Sequence, residues 1–226
     1  MSRFSILSFQ FSILNAALLS SALAAAPALR SGPQVGDRPL PFTSNMVTGE
    51  HRGKQFCYVC ELKDEPSVLV FARHTDAPTA RLLQDLRDLV QARKQEKLFG
   101  WMVFLGAPDT ASQTGLERRA LEFARTHGAT SVILSALGDP QGPPGYRIAP
   151  EAEVTVIGFR SGKVLYNRAY GPGEWNERSA AAALKPVSAL IAPSPEVRPR
   201  ANIRSRCSRQ ASRTPAYRAP AQIHRG

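Results

Sequence analysis

Two cysteines separated by two residues are the part of this sequence best suited to chemistry. Cys57 and Cys60 enclose Tyr58-Val59 and precede the apolar run Ser67–Ala72. Thiols at this spacing can close a small disulfide ring, and strained or exposed disulfides are the ones most readily exchanged. Three interpretations fit the pair: a structural disulfide in a surface loop, a redox-active disulfide, and half of a metal site.

The neighbouring residues favour a disulfide over a metal or a haem. Zinc needs four ligands, and only Cys207 and scattered histidines could complete the set. Covalent haem attachment is disfavoured because Glu61, and no histidine, follows the second cysteine. We therefore predict no metal and no cofactor. The predicted elements place no helix N-terminus beside the pair, so only Lys54 and Lys63 are expected to lower a thiol pKa, and only modestly.

The N-terminal segment has the pattern of a secretory signal peptide. A basic start at Arg3 leads into residues 4–26, which carry no charge and end in an alanine run. We predict a signal peptide over 1–26, and hence an exported protein, periplasmic or extracellular, with no stable membrane span after cleavage. An uncleaved anchor is the alternative, which Gln10 and Asn15 weaken. Export implies an oxidising compartment, where a close cysteine pair forms a disulfide.

The net charge of +11 belongs mostly to the C-terminal end. Residues 193–226 hold eight arginines against one glutamate and are rich in proline and serine. Such a segment cannot bury enough apolar surface to fold, so we predict a disordered tail. Its arginines could bind an acidic polymer, but Tyr217 is its only aromatic residue, unlike a single-strand binder. No nucleic-acid partner is expected.

Residues 33–192 have the size and patterning of one domain. Apolar runs of strand length alternate with segments in which leucines recur at helical spacing. The predicted order is β-α-β-α-β-β-α after an N-terminal extension. The predicted strands are 67–72, 101–105, 131–134, 153–159 and 163–170, and the predicted helices are about 76–90, 112–127 and 174–190.

This order resembles the thioredoxin-like fold superfamily, in its redoxin and peroxiredoxin-like branch. The local patterns that carry the resemblance are Val35-Gly36-Asp37 with Pro41-Phe42, Gly53-Lys54, the run 68–71, the run 154–157 and Gly162-Lys163-Val164. It implies an α/β domain with a mostly parallel central sheet, an antiparallel terminal hairpin and helices on both faces. Small exported thioredoxin-like proteins with Cys-Tyr-x-Cys before the first long strand are similar.

The sequence departs from that family at the usual active site. Family members carry Cys-x-x-Cys after the first long strand, where Asp76 and Thr79 fall here, and no peroxidatic cysteine is present. The family's cis-proline should fall near Glu153, and Pro150 does not align with it. The usual activity therefore does not carry over. Asp76 is predicted to cap a helix beside a solvated His74, with an altered binding site as the alternative.

Two functions fit this sequence. The first is thiol–disulfide exchange with protein thiols or disulfides, in which, by analogy with the family's order, Cys57 attacks and Cys60 resolves. The second is a non-catalytic binding or scaffold domain in which the same pair is only a staple. A reduction potential separates them, because structural disulfides lie below about −300 mV.

Overall fold

The structure is a computed structural model that describes residues 28–106, 112–129 and 131–187. Its centre is a sheet of seven strands. The strands are β1 (Ser44–Met46), β2 (Gln55–Phe56), β3 (Ser67–Ala72), β4 (Phe99–Leu105), β5 (Val132–Leu137), β6 (Val154–Arg160) and β7 (Lys163–Tyr170). The helices are α1 (Tyr58–Leu62), α2 (Ala77–Ala92), α3 (Gln113–His127) and α4 (Glu177–Ala183), with 3-10 turns at Lys94–Glu96 and Lys185–Val187.

The sheet is parallel at its centre and antiparallel at both sides. The strand order is β2-β1-β5-β4-β3-β6-β7. Strands β3, β4 and β5 run parallel, because helical crossovers join them. Strand β6 pairs antiparallel with β3 and then with β7, and β1 pairs antiparallel with β5. The predicted α/β class, with its antiparallel terminal hairpin, is confirmed, and the sheet as a whole is mixed, with its parallel pairings confined to β3, β4 and β5.

Alternate residues of the central strands face two separate cores. Val68 and Val70 of β3 point to the core that α2, α3 and α4 cover, whereas Leu69 and Phe71 point to the other. The second core is covered by α1 and by the segment before β1, whose Phe42 ring stacks on Trp101 with centroids 4.8 Å apart. Both faces of the sheet are therefore buried, which explains why β3 and β4 appear in the sequence as continuous apolar runs.

Helix caps fix where the two long helices begin. The Asp76 carboxylate accepts a hydrogen bond from the backbone N–H of Thr79 at 3.0 Å, and Ser112 does the same for Gly115 at 3.1 Å. The predicted cap at Asp76 is confirmed. Helix α3 ends as predicted at Gly128, whose φ of 68° is readily adopted by glycine.

Helix α4 is shorter than the sequence indicates. In the described part of the predicted helix, residues 174–187, seven residues are α-helical, and they begin after a capping box formed by Asn176 and Ser179. Pro186 lies in the 3-10 turn that follows, because proline cannot donate to the α-helical ladder. The predicted signal peptide 1–26, the tail 193–226 and Cys207 lie outside the described residues. Within the described segments, no helix is long and apolar enough to cross a membrane.

The chain before β1 is bound to strand β7. The backbone N–H of Gly36 donates to the carbonyl of Val164 at 2.9 Å, and the N–H of Val164 donates to the carbonyl of Asp37 at 2.9 Å. The side-chain amide of Asn167 donates to the carbonyls of Ser31 and Pro33, each at 2.8 Å. Residues 31–37 therefore lie along the outer side of β7.

Candidate functional site

The two cysteines are bonded to each other at the start of a short helix. The Sγ atoms of Cys57 and Cys60 are 2.08 Å apart, and their Cα atoms are 5.4 Å apart. Cys57 is the N-cap of α1, and its Sγ accepts a hydrogen bond from the backbone N–H of Cys60 at 3.2 Å. One helical turn therefore brings the two sulfur atoms together.

Helix α1 is held in place by the residues between and after the cysteines. Tyr58 and Leu62 are buried, and their i, i+4 spacing turns both toward the second core. The Tyr58 ring lies 4.7 Å from that of Phe99 and 5.5 Å from that of Trp101. This anchoring leaves Cys57 half-buried and Cys60 exposed.

The prediction that no helix begins beside the cysteine pair was wrong. Helix α1 has five residues, which is too short for a repeated apolar pattern to mark it. The available signal was the spacing of Tyr58 and Leu62, with Cys57 directly before them in place of a more usual capping residue. The predicted residues Cys57 and Cys60 thus lie together, in a setting that the sequence did not indicate.

Cys60 lines an open groove, which we call the Cys60 groove. It has a volume of about 400 Å³. Val59, Pro41 and Phe159 supply its apolar surface, and Lys63 lies beside them, whereas Lys54 and Cys57 are not part of the lining. Of the two cysteines, Cys60 is therefore the one that a molecule in this groove would contact.

The charges around α1 have both signs. Burial raises the pKa of Tyr58, and the nearby carboxylates of Glu61 and Glu50 raise it further. Lys63, the residue that follows the helix, adds a positive charge to the same region. The backbone N–H of Cys60 is the donor that the structure places directly on a sulfur atom, that of Cys57.

The disulfide and the family's usual site lie on opposite faces of the sheet and at opposite ends of its central strands. Helix α1 packs in the second core near Phe99, at the amino end of β4. Asp76 follows the carboxyl end of β3, and Ala80, one turn into α2, belongs to the first core. Ligands of open α/β sheets usually bind beyond the carboxyl ends of the strands. The cysteine pair therefore does not occupy the usual ligand position.

The usual active-site position is filled by structural contacts. Asp76 caps α2, and Thr79, which falls where the second cysteine of the family motif would be, is fully buried. Its hydroxyl accepts a hydrogen bond from the indole N–H of Trp175 at 3.1 Å. These residues therefore connect α2 to the loop before α4, and no thiol is present there.

Arg73 closes the same end of the sheet. Its Nε donates to the carbonyl of Ala152 at 2.8 Å, and a second guanidinium nitrogen donates to the carbonyl of Ala149 at 3.1 Å. Burial lowers the pKa of Arg73, although Glu151 partly offsets the effect. The loop before β6, which carries Pro150, is thereby held to the end of β3, and no peptide bond in the described residues is cis.

His74 is exposed beside this closed end. It lines a small cleft of about 170 Å³ together with Arg119 and Leu116. In the described part of the chain, no three histidine, cysteine or carboxylate side chains gather as metal ligands would. Both sulfurs of the pair are moreover taken up by the disulfide. The geometry thus leaves the Cys60 groove as the candidate site, because one residue of the disulfide lines it.

Comparison with solved structures identifies the fold. An uncharacterised conserved protein from Geobacillus kaustophilus matches with a TM-score of 0.54 and 14% identity, over 74% of this chain and 87% of that one. A protein described as a candidate disulfide isomerase, from Bacteroides thetaiotaomicron, matches at 0.53 and 16%, over 73% and 96%. A candidate thiol:disulfide interchange protein DsbE from Chlorobium tepidum matches at 0.51 and 19%, over 70% and 98%.

The chain has the thioredoxin-like fold. The matches cover most of the described domain, and the strand order and helix placement agree with the fold predicted from the sequence. No protein-family model and no curated protein matches the sequence. At these identities the similarity establishes the fold, and the activity has to be argued from the site.

Proposed function

We propose that this protein is an exported thiol–disulfide oxidoreductase that acts through Cys57 and Cys60 on the thiols or disulfides of other proteins. The observation that carries the proposal is that the disulfide is at the surface, with Cys60 exposed in an open groove. A disulfide that serves only as a staple needs no access for a third sulfur. Thiol–disulfide exchange does, because it proceeds by attack of a thiolate on one sulfur of the bond.

The geometry favours Cys60 as the sulfur that is attacked. An incoming thiolate reaches Cys60 Sγ through the groove, the bond between the two cysteines breaks, and Cys57 leaves as a thiolate. That thiolate already accepts the backbone N–H of Cys60, and a hydrogen bond to the charged form favours it. The order taken by analogy with the family, in which Cys57 attacks and Cys60 resolves, is thus reversed in this proposal.

A redox titration tests the function. The purified protein with Cys207→Ser retains only the pair, and its disulfide is equilibrated against glutathione or dithiothreitol buffers. A reduction potential of about −270 mV or higher lies in the range of exchange catalysts and supports the proposal. A potential below about −300 mV makes the bond structural and contradicts the proposal.

A non-catalytic binding domain is the second candidate. Closure of the usual site by Arg73 and by the contact between Thr79 and Trp175 favours it. In that case the disulfide only holds α1 against the second core. The same titration decides between the two candidates, because a structural disulfide has a reduction potential too low for the glutathione pool to reduce it.

Export is the second part of the proposal. The support is the uncharged run 4–26 with its terminal alanines, which lies outside the described residues. N-terminal sequencing of the protein from the periplasmic or secreted fraction should show a chain that begins just after the alanine run. An intact Met1 in that fraction would contradict cleavage.

A further inference from the structure

The Cys60 groove adjoins a second, larger cleft, which we call the arginine cleft. Its volume is about 660 Å³, and Arg30, Arg38 and Arg147 lie in its lining beside Leu40 and Gln34. Arg38 lines both depressions, so the two are neighbours on the protein surface. A segment lying along both would pass from the arginines to the sulfur of Cys60.

Within the described segments, the arginines of this surface keep their guanidinium groups available for a ligand. Neither Arg30, Arg38 nor Arg147 forms a side-chain hydrogen bond or ion pair with another described residue. The carboxylate of Asp37, which also lines the arginine cleft, already accepts the backbone N–H of Gln34 at 2.8 Å. In the Cys60 groove, Lys63 adds a cation and Asp64 an anion. The two clefts together present four cations and two carboxylates.

Two of these cationic residues have a positive φ, a backbone conformation that glycine adopts more readily than other residues. Arg147 has φ of 55° and Lys63 has φ of 45°. A residue with a β-carbon is strained in this region, and such strain is found disproportionately at functional sites. The backbone of Arg147 is also held by the N–H of Gly32, which donates to its carbonyl at 3.2 Å. The chain thus keeps a charged side chain at two positions where glycine would be easier to accommodate.

We infer that the partner of the Cys60 groove is an acidic protein segment that carries a cysteine pair, with its carboxylates on the arginine cleft. The inference rests on the proposed function and names its substrate class. One partner thiolate attacks Cys60 Sγ and releases Cys57 as a thiolate. The second partner thiolate then attacks the partner's own sulfur in the mixed disulfide, which releases Cys60. The partner loses two electrons and forms its disulfide, and the enzyme pair gains both.

Two matched peptides test this substrate class. Each carries the same cysteine pair, flanked by aspartates in one and by lysines in the other, and each reduces the disulfide of the full chain with Cys207→Ser. Every rate is divided by the rate of the same peptide with glutathione disulfide, because flanking charges also change thiol reactivity. We expect the acidic peptide to react at least about tenfold faster at low salt, with most of the difference lost in about 1 M salt.

Glycine substitutions locate the effect. Arg147→Gly and Lys63→Gly each remove a charge without adding backbone strain, and each should lower the rate for the acidic peptide about two- to fivefold. Lys97→Gly is the matched control. Lys97 also has a left-handed φ, of 56°, but it lines neither cleft, so its substitution should leave the rates unchanged. All variants share the same arginine-rich tail, so a difference between them reports the cleft.

The outcomes separate this inference from the proposed function. Equal normalised rates for the two peptides, or a preference that survives both cleft substitutions, would overturn the acidic partner while exchange itself stands. If neither peptide reacts, the proposed function fails. Fluorescence titration with a cysteine-free acidic peptide then tests binding to the arginine cleft alone. Weaker binding by Arg147→Gly than by the wild type supports the cleft as the binding site for acidic segments. An oligonucleotide that binds the cleft more tightly than the acidic peptide would contradict the inference.

Discussion

The indole N–H of Trp175 donates a hydrogen bond to the hydroxyl of Thr79, with the two atoms 3.1 Å apart. Both side chains are buried. Thr79 stands where a thioredoxin-like catalyst would carry its second cysteine, and here it fastens the start of α2 to the loop before α4. The usual active-site position has therefore become part of the framework.

Replacing Thr79 by valine should destabilise the fold by about 1–3 kcal/mol. The substitution keeps the shape of the side chain but leaves the indole N–H of Trp175 buried without an acceptor. Urea unfolding, monitored by tryptophan fluorescence, measures the free energy of unfolding. Thr79→Ser retains the hydroxyl and is the control. If serine costs as much as valine, the hydrogen bond is not the cause.

Replacing Asp76 by alanine should cost about 0.5–2 kcal/mol of folding free energy and leave exchange at the cysteine pair unchanged. The carboxylate caps α2, and the pair lies on the other face of the sheet. Denaturant unfolding and glutathione exchange rates measure the two effects. Asp76→Asn keeps a capping oxygen and should cost less. Peroxide turnover by the wild type that disappears in Asp76→Ala would show that the catalytic site lies at α2.

Limited reduction with glutathione should place the glutathionyl group on Cys60. The oxidised protein is mixed with glutathione, quenched with acid, alkylated and mapped by mass spectrometry. We expect glutathione on Cys60 and the alkyl group on Cys57, because Cys60 is the more exposed residue and Cys57 Sγ is the hydrogen-bonded leaving group. The reverse labelling would restore the order implied by the family.

The fold should lose stability above about pH 10, with Tyr146 contributing. Burial raises the pKa of Tyr146 well above its ordinary value. The unfolded chain releases this proton near pH 10, whereas the folded chain retains it, so the contribution is complete below that pH and falls as pH rises. The slope is about 1.4 kcal/mol per pH unit for each such tyrosine.

Tyr146→Phe isolates that contribution. In urea unfolding between pH 7 and pH 11.5, the free energy of unfolding of the variant should fall less steeply with pH than that of the wild type. The difference in slope should correspond to one proton. At neutral pH the variant should lose about 1 kcal/mol, because the hydroxyl of Tyr146 donates to the carbonyl of Leu40 at 2.9 Å. If the unfolding free energies of the wild type and the variant fall in parallel with pH, the loss of stability at high pH comes from the other buried tyrosines.

The fold was predictable because its main elements have local signals. The run Ser67–Ala72 is strand β3 without change, and the hairpin turns at Ser161 and Gly162, both with positive φ, as the sequence indicates. Strand β5 runs on through Leu137 beyond the predicted 131–134. Its later residues include Ser135, whose buried hydroxyl accepts hydrogen bonds from Ser44 and Trp101. Only the tertiary structure supplies those partners.

The disulfide of the candidate site was predictable from the sequence, but the geometry around it was not. The spacing of Cys57 and Cys60 identifies a candidate pair, yet helix α1 exists because Tyr58 and Leu62 pack into a core built from distant strands. The arginine cleft has no local signal, since Arg38 and Arg147 are more than a hundred residues apart. The sequence indicated charge chiefly in the tail, and the cleft arises from the fold.

The segment that runs along β7 also determines how copies of the protein can meet. A sheet grows when a foreign strand finds unpaired backbone groups at its edge, which is the first step toward fibrous aggregates. At Val164 both backbone groups of the outer strand are already bonded to residues 36 and 37. At the opposite edge, β2 offers only two residues. The same chain segment that carries Arg38 to the cleft thus occupies the backbone groups of Val164, so a foreign strand cannot pair with the sheet edge at that residue.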